Sequence, residues 1–309
     1  MINVLFAAKP DRFAEYEASL NDAFSAAGLQ CDLRTDHSPA DVDYIVYAPN
    51  SDVQDFTPFT GCKAVLNLWA GVETAVGNAT LTQPFARMVD ESLTDGMIEW
   101  VSGHVLRHHL GMDAHITNPD QIWDDTPPPL AKDRPVTILG LGTLGTAVAR
   151  TMTAFGFPVT GWSRTKKSVN EVRCCYGDKG LHDALEDAQI VVLLLPDTPA
   201  TRHTINSDTL AVMPKGAVII NPGRGPLIDD DALIAALNSG HIAHATLDVF
   251  TKEPLPKDDA YWSMPNVTVT PHIASATRPD TAADVIAENI RRGEAGEDFL
   301  HLVDRSAGY

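Results

Sequence analysis

Cationic side chains are scarce in this sequence. Lysine and arginine together number 23 against 41 aspartates and glutamates, a formal charge of −18 at pH 7. Nucleic acids and anionic membrane surfaces are held by clustered cations, so this balance excludes both as partners. It also means that an anionic small molecule must be captured by a local basic group against a repulsive overall field. Cysteine is sparse as well: the four are Cys31, Cys62, Cys174 and Cys175, with no C-x-x-C pair and hence no metal or redox spacing. Cys174 and Cys175 are adjacent, an arrangement that disulfide geometry rarely tolerates. No apolar run is long enough to span a bilayer, and the opening MINVLFAAKPDRFAEYE has no basic stretch ahead of its short apolar run. A cytoplasmic location is the resulting expectation.

The rest of the composition is that of a globular chain. Apolar residues make up 44% of the 309, and that length suggests two domains. Strand-like runs at 2–7, 43–49 and 64–69 alternate with polar or helical stretches; Phe13, Tyr16, Leu20 and Phe24 recur at helical spacing. A helix is expected over 94–112, followed by the proline-rich 119–135, which cannot be one continuous element. Strands then recur at 136–140, FPVTGW, 190–196, 216–222, 242–247 and 267–270. Three aspartates open the helix at DDDALIAALNSG, where the helix dipole favours anions, and Gly240 follows its end. A last helix is expected from about Arg278 to Arg292. Strands alternating with helices indicate βαβ units and parallel sheets, one unit near 1–93 and a second near 113–277. The final helix could belong to either.

Gly140-Leu141-Gly142-Thr143-Leu144-Gly145 is a G-x-G-x-x-G between an apolar strand and a helix-forming run. In that setting the first glycine permits a tight turn, the second lets backbone approach a pyrophosphate, and the third lets helix and strand pack closely. About 20 residues further on, an acid would bind the ribose 2′-hydroxyl of NAD. Here the next strand ends instead in Ser163, Arg164, Thr165, Lys166 and Lys167. An arginine with a small hydroxyl donor suits a 2′-phosphate, so NADPH is expected over NADH.

Three further segments each follow a predicted strand: Asn221-Pro222-Gly223-Arg224-Gly225, then LDVFTKEPL with Asp248 and Glu253, then TPHIAS with His272 and Ser275. That is the sheet edge where open α/β folds bind ligands. Arginine there can grip a carboxylate and polarise a carbonyl. Histidine can donate a proton near neutral pH, and a neighbouring glutamate favours its protonated form.

With these residues in place the chain resembles the D-isomer-specific 2-hydroxyacid dehydrogenase family over nearly its whole length, most strongly from Val136 onward. WSRTKKS, LDVFTKEPLP, TPHIASATRP and the closing VDRSAGY make it most similar to the glyoxylate/hydroxypyruvate reductase A branch. The segment Leu68-Trp69-Ala70-Gly71-Val72-Glu73 also resembles the family's carboxylate-binding loop.

The resemblance implies an α/β fold of two Rossmann-like domains with parallel sheets. A coenzyme domain (99–277) is inserted into a substrate-binding domain (1–98 and 278–309). It implies reduction of a small 2-keto acid, glyoxylate or hydroxypyruvate first, by a typically homodimeric enzyme. Arg224 would bind the substrate, His272 would be the acid/base and Glu253 its partner. Ala70, Gly71 and Val72 would hold the substrate carboxylate, and Asp248 would contact the nicotinamide carboxamide. Leu195, Pro196, Thr201, Asn221, Pro222, Gly223 and Ser275 would line the cofactor path. Two positions depart from the family pattern. Pro222 and Gly223 precede the arginine, and proline removes a backbone donor on the nicotinamide side. Glu73 stands where aspartate is usual. An NAD-linked relative acting on D-lactate or phosphoglycerate, and a nucleotide-sensing module of the same fold, remain as alternatives. His104 and His108 have a zinc-like spacing with His109 adjacent, but no acidic or cysteine third ligand is evident nearby, and His241 and His244 lack partners too. No metal is expected.

Overall fold

The computed structural model describes residues 1–305 and 308; of the closing VDRSAGY, Ser306, Ala307 and Tyr309 lie outside the described residues. The chain divides into two compact units, Met1–Leu93 with Ala276–Tyr309, and Thr94–Ser275.

In chain order the first segment contains β1 (Ile2–Ala7), α1 (Pro10–Ala26), β2 (Cys31–Arg34), β3 (Tyr44–Tyr47), β4 (Ala64–Asn67), α2 (Glu73–Val76) and β5 (Phe85–Ala86). Helix α3 (Glu91–His109) starts in this segment and ends in the next, three residues earlier at each end than the expected 94–112. The second unit continues with α4 (Asp113–Ile116), β6 (Val136–Leu139), α5 (Thr143–Ala154), β7 (Val159–Ser163), β8 (Arg173–Tyr176) and α6 (Gly177–Leu185). It is completed by β9 (Ile190–Leu193), α7 (Ser207–Val212), β10 (Ala217–Asn221), α8 (Asp230–Asn238), β11 (Ile242–Leu247) and β12 (Val267–Val269). Helix α9 (Pro279–Ala295) returns to the first unit, and Gly296, at φ 70°, ends it.

The first unit is a parallel sheet ordered β2-β1-β3-β4-β5. On one face Val4, Phe6, Val46 and Leu66 pack with Tyr16, Leu20 and Phe24 of α1 and with Ala283, Ile286 and Ile290 of α9. The opposite face forms a second core around Tyr47, Phe56, Val65, Val72 and Phe85.

The second unit is a parallel sheet ordered β12-β11-β10-β9-β6-β7-β8. Its central strands read as unbroken apolar runs, IVVL in β9 and AVIIN in β10, because both faces are covered. The chain runs outward from β6 through β7 to β8, then restarts at β9 on the other side of β6. The carboxyl ends of β6 and β9 therefore flank a topological switch point, the position where such sheets bind ligands.

Strands β2 and β8 go beyond the expected set. Both are sheet-edge strands without a buried residue, so their sequences, CDLR and RCCY, carry no apolar signal. The two-residue β5 is too short to show a period. All four cysteines are free, and among the described residues no helix is long and apolar enough to cross a membrane.

Candidate functional site

Gly140 sits at the carboxyl end of β6 with φ 109°, and a Cβ there would lie 2.4 Å from the Leu194 carbonyl oxygen, just past β9. A Cβ on Gly145 would lie 1.7 Å from the Gly140 oxygen, so only glycine lets α5 start this close to β6. Gly142 has nothing within 4 Å of where its Cβ would be. It is the N-cap of α5 and offers no side chain to the first helical amides. The result is an open cradle at a helix N-terminus, which fits a dinucleotide pyrophosphate.

At the end of β7, Arg164, Thr165 and Lys166 are exposed, whereas Ser163 is buried and its hydroxyl donates to the Thr165 carbonyl at 2.8 Å. Ser163 thus shapes the basic turn from beneath. Beyond β9, Leu195 is buried, and Thr201 ties its loop by donating to the Pro196 carbonyl at 2.6 Å and accepting from Thr198 N at 2.9 Å.

The catalytic candidates come from three strand ends of this unit. After β10, fully buried Asn221 takes the Gly223 N–H on Oδ1 and donates Nδ2 to the Arg224 carbonyl, fixing the turn that presents Arg224. After β11, Glu253 accepts the Phe250 N–H on Oε1 at 2.8 Å and meets His272 Nδ1 with Oε2 at 2.7 Å. That contact leaves Nε2 as the imidazole nitrogen available to a ligand. The hydrogen bond to Glu253 raises the His272 pKa above the usual histidine value; burial and the Arg224 charge oppose it without cancelling it. Burial pulls the Glu253 carboxyl upward, but the bonds from His272 and the Phe250 amide, with the charges of His272 and Arg224, hold it below its ordinary value.

His272 has φ 54°, a left-handed conformation that costs a non-glycine residue about 1–3 kcal/mol unless its surroundings impose it. Asp248 imposes it. Its backbone oxygen accepts the His272 N–H at 2.8 Å. Its carboxylate, on a residue 1% exposed, accepts from Thr270 Oγ1 at 2.6 Å and from the Ile273 and Ala274 amides at 2.9 Å each. The expected place of Asp248 is at the nicotinamide; in this structure its carboxylate serves protein donors and holds the His272 loop.

In the first unit, the 69–73 loop follows β4. Asn67, 1% exposed, donates Nδ2 to the carbonyls of Trp69 at 2.8 Å and Gly71 at 3.1 Å. A trans peptide sets each N–H opposite the preceding carbonyl, so drawing these two oxygens inward turns the Ala70 and Val72 N–H groups outward.

The histidines reveal a grouping that sequence spacing hid. His108, His244 and Asp113 bring potential ligand atoms within 4.8 Å of one another, supplying the acidic neighbour and the partner that sequence spacing does not predict. However, the Arg107 guanidinium meets Asp113 at 2.6 Å, placing a cation where a metal would sit. His108 and His244 each bond a threonine hydroxyl, Thr246 at 2.9 Å and Thr268 at 2.8 Å. Burial, with repulsion from His244 and Arg107, pushes His108 down to about 3, and burial lowers His244 as well, so both imidazoles are neutral at pH 7 beside the Arg107–Asp113 ion pair.

Comparison with known proteins gives three findings. The family model for the NAD binding domain of D-isomer specific 2-hydroxyacid dehydrogenases matches residues 104–274. Glyoxylate/hydroxypyruvate reductase A of Yersinia enterocolitica is 33% identical over the full length of both chains, and that of Photorhabdus laumondii is 37% identical over 81% of this chain and 82% of its own. Among solved structures, a D-isomer specific 2-hydroxyacid dehydrogenase from Xanthobacter autotrophicus in complex with NADPH and MES is 40% identical. It aligns over 100% of this chain and 99% of its own with a TM-score of 0.93. NADPH-dependent glyoxylate/hydroxypyruvate reductase from Sinorhizobium meliloti, in complex with NADP and sulfate, is 34% identical over 100% of both chains with a TM-score of 0.88.

Proposed function

Because the chain belongs to the D-isomer specific 2-hydroxyacid dehydrogenase family, we propose that it reduces small 2-keto acids, glyoxylate and hydroxypyruvate first, to glycolate and D-glycerate with NADPH. The observation that carries this reading is the His272–Glu253 contact of 2.7 Å at the carboxyl edge of the second sheet, on the same edge as the Arg224 turn. The Gly140–Gly145 cradle would hold the cofactor pyrophosphate, and Arg164, Thr165 and Lys166 its 2′-phosphate.

When bound, NADPH supplies a hydride to the keto carbon. Protonated His272 delivers a proton from Nε2 to the keto oxygen. Glu253 keeps that imidazole charged and oriented. Arg224 stabilises the negative charge growing on the same oxygen. Gly71 and Val72, through their amides, hold the substrate carboxylate.

The test is oxidation of NADPH and NADH by purified protein with glyoxylate, hydroxypyruvate and pyruvate. Faster oxidation of NADPH than of NADH with the first two is the expected result; no oxidation with any keto acid would instead favour the nucleotide-sensing reading. The basic turn has its own test. Arg164→Ala with Lys166→Ala raises KM for NADPH by about 30–1,000-fold and leaves KM for NADH nearly unchanged, because each of the two lost charge-assisted contacts is worth about 1–2 kcal/mol.

The working form is proposed to be a cytoplasmic homodimer. The stretch after α3 exposes Ile116, Ile122, Trp123 and Leu130, Trp123 at 93%, and such a run of exposed apolar side chains marks an interaction surface. Light scattering should give twice the 33.3 kDa chain mass, and Trp123→Asp should shift it toward the monomer.

A further inference from the structure

We propose that Arg87 binds the carboxylate of the keto acid, side by side with the outward N–H groups of the 70–72 loop. This deepens the reading above and rests on it: the family resemblance gave the carboxylate to that loop and to Arg224, and assigned nothing to Arg87.

Arg87 directly follows β5. The extended backbone continues past the strand, with Arg87 N donating to the His301 carbonyl and Met88 N to the Trp69 carbonyl, each at 3.0 Å. Met88 is thereby tied to the first residue of the 69–73 loop. Side chains alternate along extended backbone. Ala86 and Met88 enter the core against α1 and α9, whereas Phe85 enters the opposite core with Val72 and Ala75. Arg87 therefore continues the face to which Val72 belongs, beyond the carboxyl end of the sheet.

The Arg87 guanidinium is partly buried and makes no hydrogen bond or ion pair with any described residue, in a chain with 41 acids. Burial alone acts on it, pulling it below the usual arginine value. The neighbouring titratable group is His301, which burial and the Arg87 charge push down, so it supplies no counter-charge. In the loop that the Met88–Trp69 bond ties to this strand, the N–H groups of Ala70, Gly71 and Val72 donate to no described residue, and the Asn67 bonds turn the first and third of them outward. A desolvated guanidinium fork on the same face and edge as unfilled amide donors is complementary to a carboxylate, which accepts two parallel bonds from arginine and further bonds from backbone.

The experiment compares glyoxylate with glyoxal, which has a second aldehyde in place of the carboxylate, in the wild-type protein, Arg87→Gln and Arg87→Lys at saturating NADPH. Expected is a fall of about 100-fold in kcat/KM for glyoxylate in Arg87→Gln, carried mainly by KM, with glyoxal reduction changed by less than about threefold. Lysine keeps the charge without the fork and recovers part of the loss. Calorimetry with oxalate on the NADPH-loaded protein reads the same site without turnover: wild type binds, and Arg87→Gln does not. Equal losses for glyoxylate and glyoxal, or oxalate binding that survives Arg87→Gln, would overturn the assignment. If wild type turns over no keto acid, the functional reading fails by itself. Oxalate binding that depends on Arg87 would still uphold the anion site, and absence of binding to wild type would remove it.

Discussion

His272→Ala is expected to lower keto acid reduction by about 10²–10⁴-fold while leaving the dissociation constant for NADPH within a few-fold of wild type, since general acid catalysis contributes that range. Stopped-flow single turnover separates the two quantities. A parallel loss of NADPH affinity would give His272 a structural role instead. The companion variant is Glu253→Gln. Reduction needs the imidazolium, so kcat/KM in that direction is full below the His272 pKa and falls as pH rises through it. Glu253 raises that pKa; burial and Arg224 lower it. Without the carboxylate only the lowering influences remain, apart from the more distant Asp248, and the descending limb of the pH profile moves to lower pH. The oxidation direction needs neutral imidazole, so its ascending limb moves to lower pH as well. A profile unmoved by Glu253→Gln would mean that another group carries the proton.

Asp248→Ala strands three donors at once: the Thr270 hydroxyl and the Ile273 and Ala274 amides. The Ala274 amide is buried and the other two are partly buried, so water can serve only some of them. A loss of about 3 kcal/mol follows, or roughly 6–12 °C in the melting temperature of a unit of this size. Freed from its carboxylate, the loop can relax His272 from φ 54° toward an ordinary conformation. Displacement of a catalytic group by about 1 Å is enough for a 10²-fold loss of turnover. Asp248→Asn separates stability from positioning. Its carbonyl can still take Thr270 and Ile273, but its amide faces the Ala274 N–H, donor against donor. Calorimetry and turnover, measured on both variants, would refute this account if Asp248→Ala melted and turned over like wild type.

Much of this is legible in the residue order. The glycine loop is a local device: the strand, turn and helix it needs follow one another directly, from Val136 at the start of β6 to Ala154 at the end of α5. Arg224 and Glu253 follow the apolar runs of the inner strands β10 and β11, His272 follows the edge strand β12, and carboxyl strand ends lie along one edge of a parallel sheet whatever the details. What the sequence does not show for Asp248 is its hold on the His272 loop, because its partners there are mainly backbone amides of the loop after β12, and amides leave no mark in sequence. His244 meets His108 and its chain neighbour Asp113 only because the fold brings β11 to α3, elements with most of the second unit between them in the chain. Arg87 gives no signal at all: one arginine in PFARMVD looks like any other until its lack of a partner among the described residues is seen in three dimensions. The sequence likewise gives no sign that the Ser163 and Thr201 hydroxyls brace their own loops.

The first unit is closed by α9, whose Ala282, Ala283, Ile286, Ala287 and Ile290 are all buried against its sheet and α1. During synthesis the strands of that sheet leave the ribosome long before this helix exists. At ordinary elongation speeds the residues between Leu93 and Ala276 take roughly 10–40 s to add. Throughout that interval one apolar face of a parallel sheet is complete in sequence but covered by α1 alone, whereas the inserted unit has every strand and helix it needs as soon as Ser275 emerges. The nascent first segment is therefore the natural client for a chaperone that shields apolar surface. Release from it is timed by the closing segment, Ala276–Tyr309, and not by the order in which the two sheets were made.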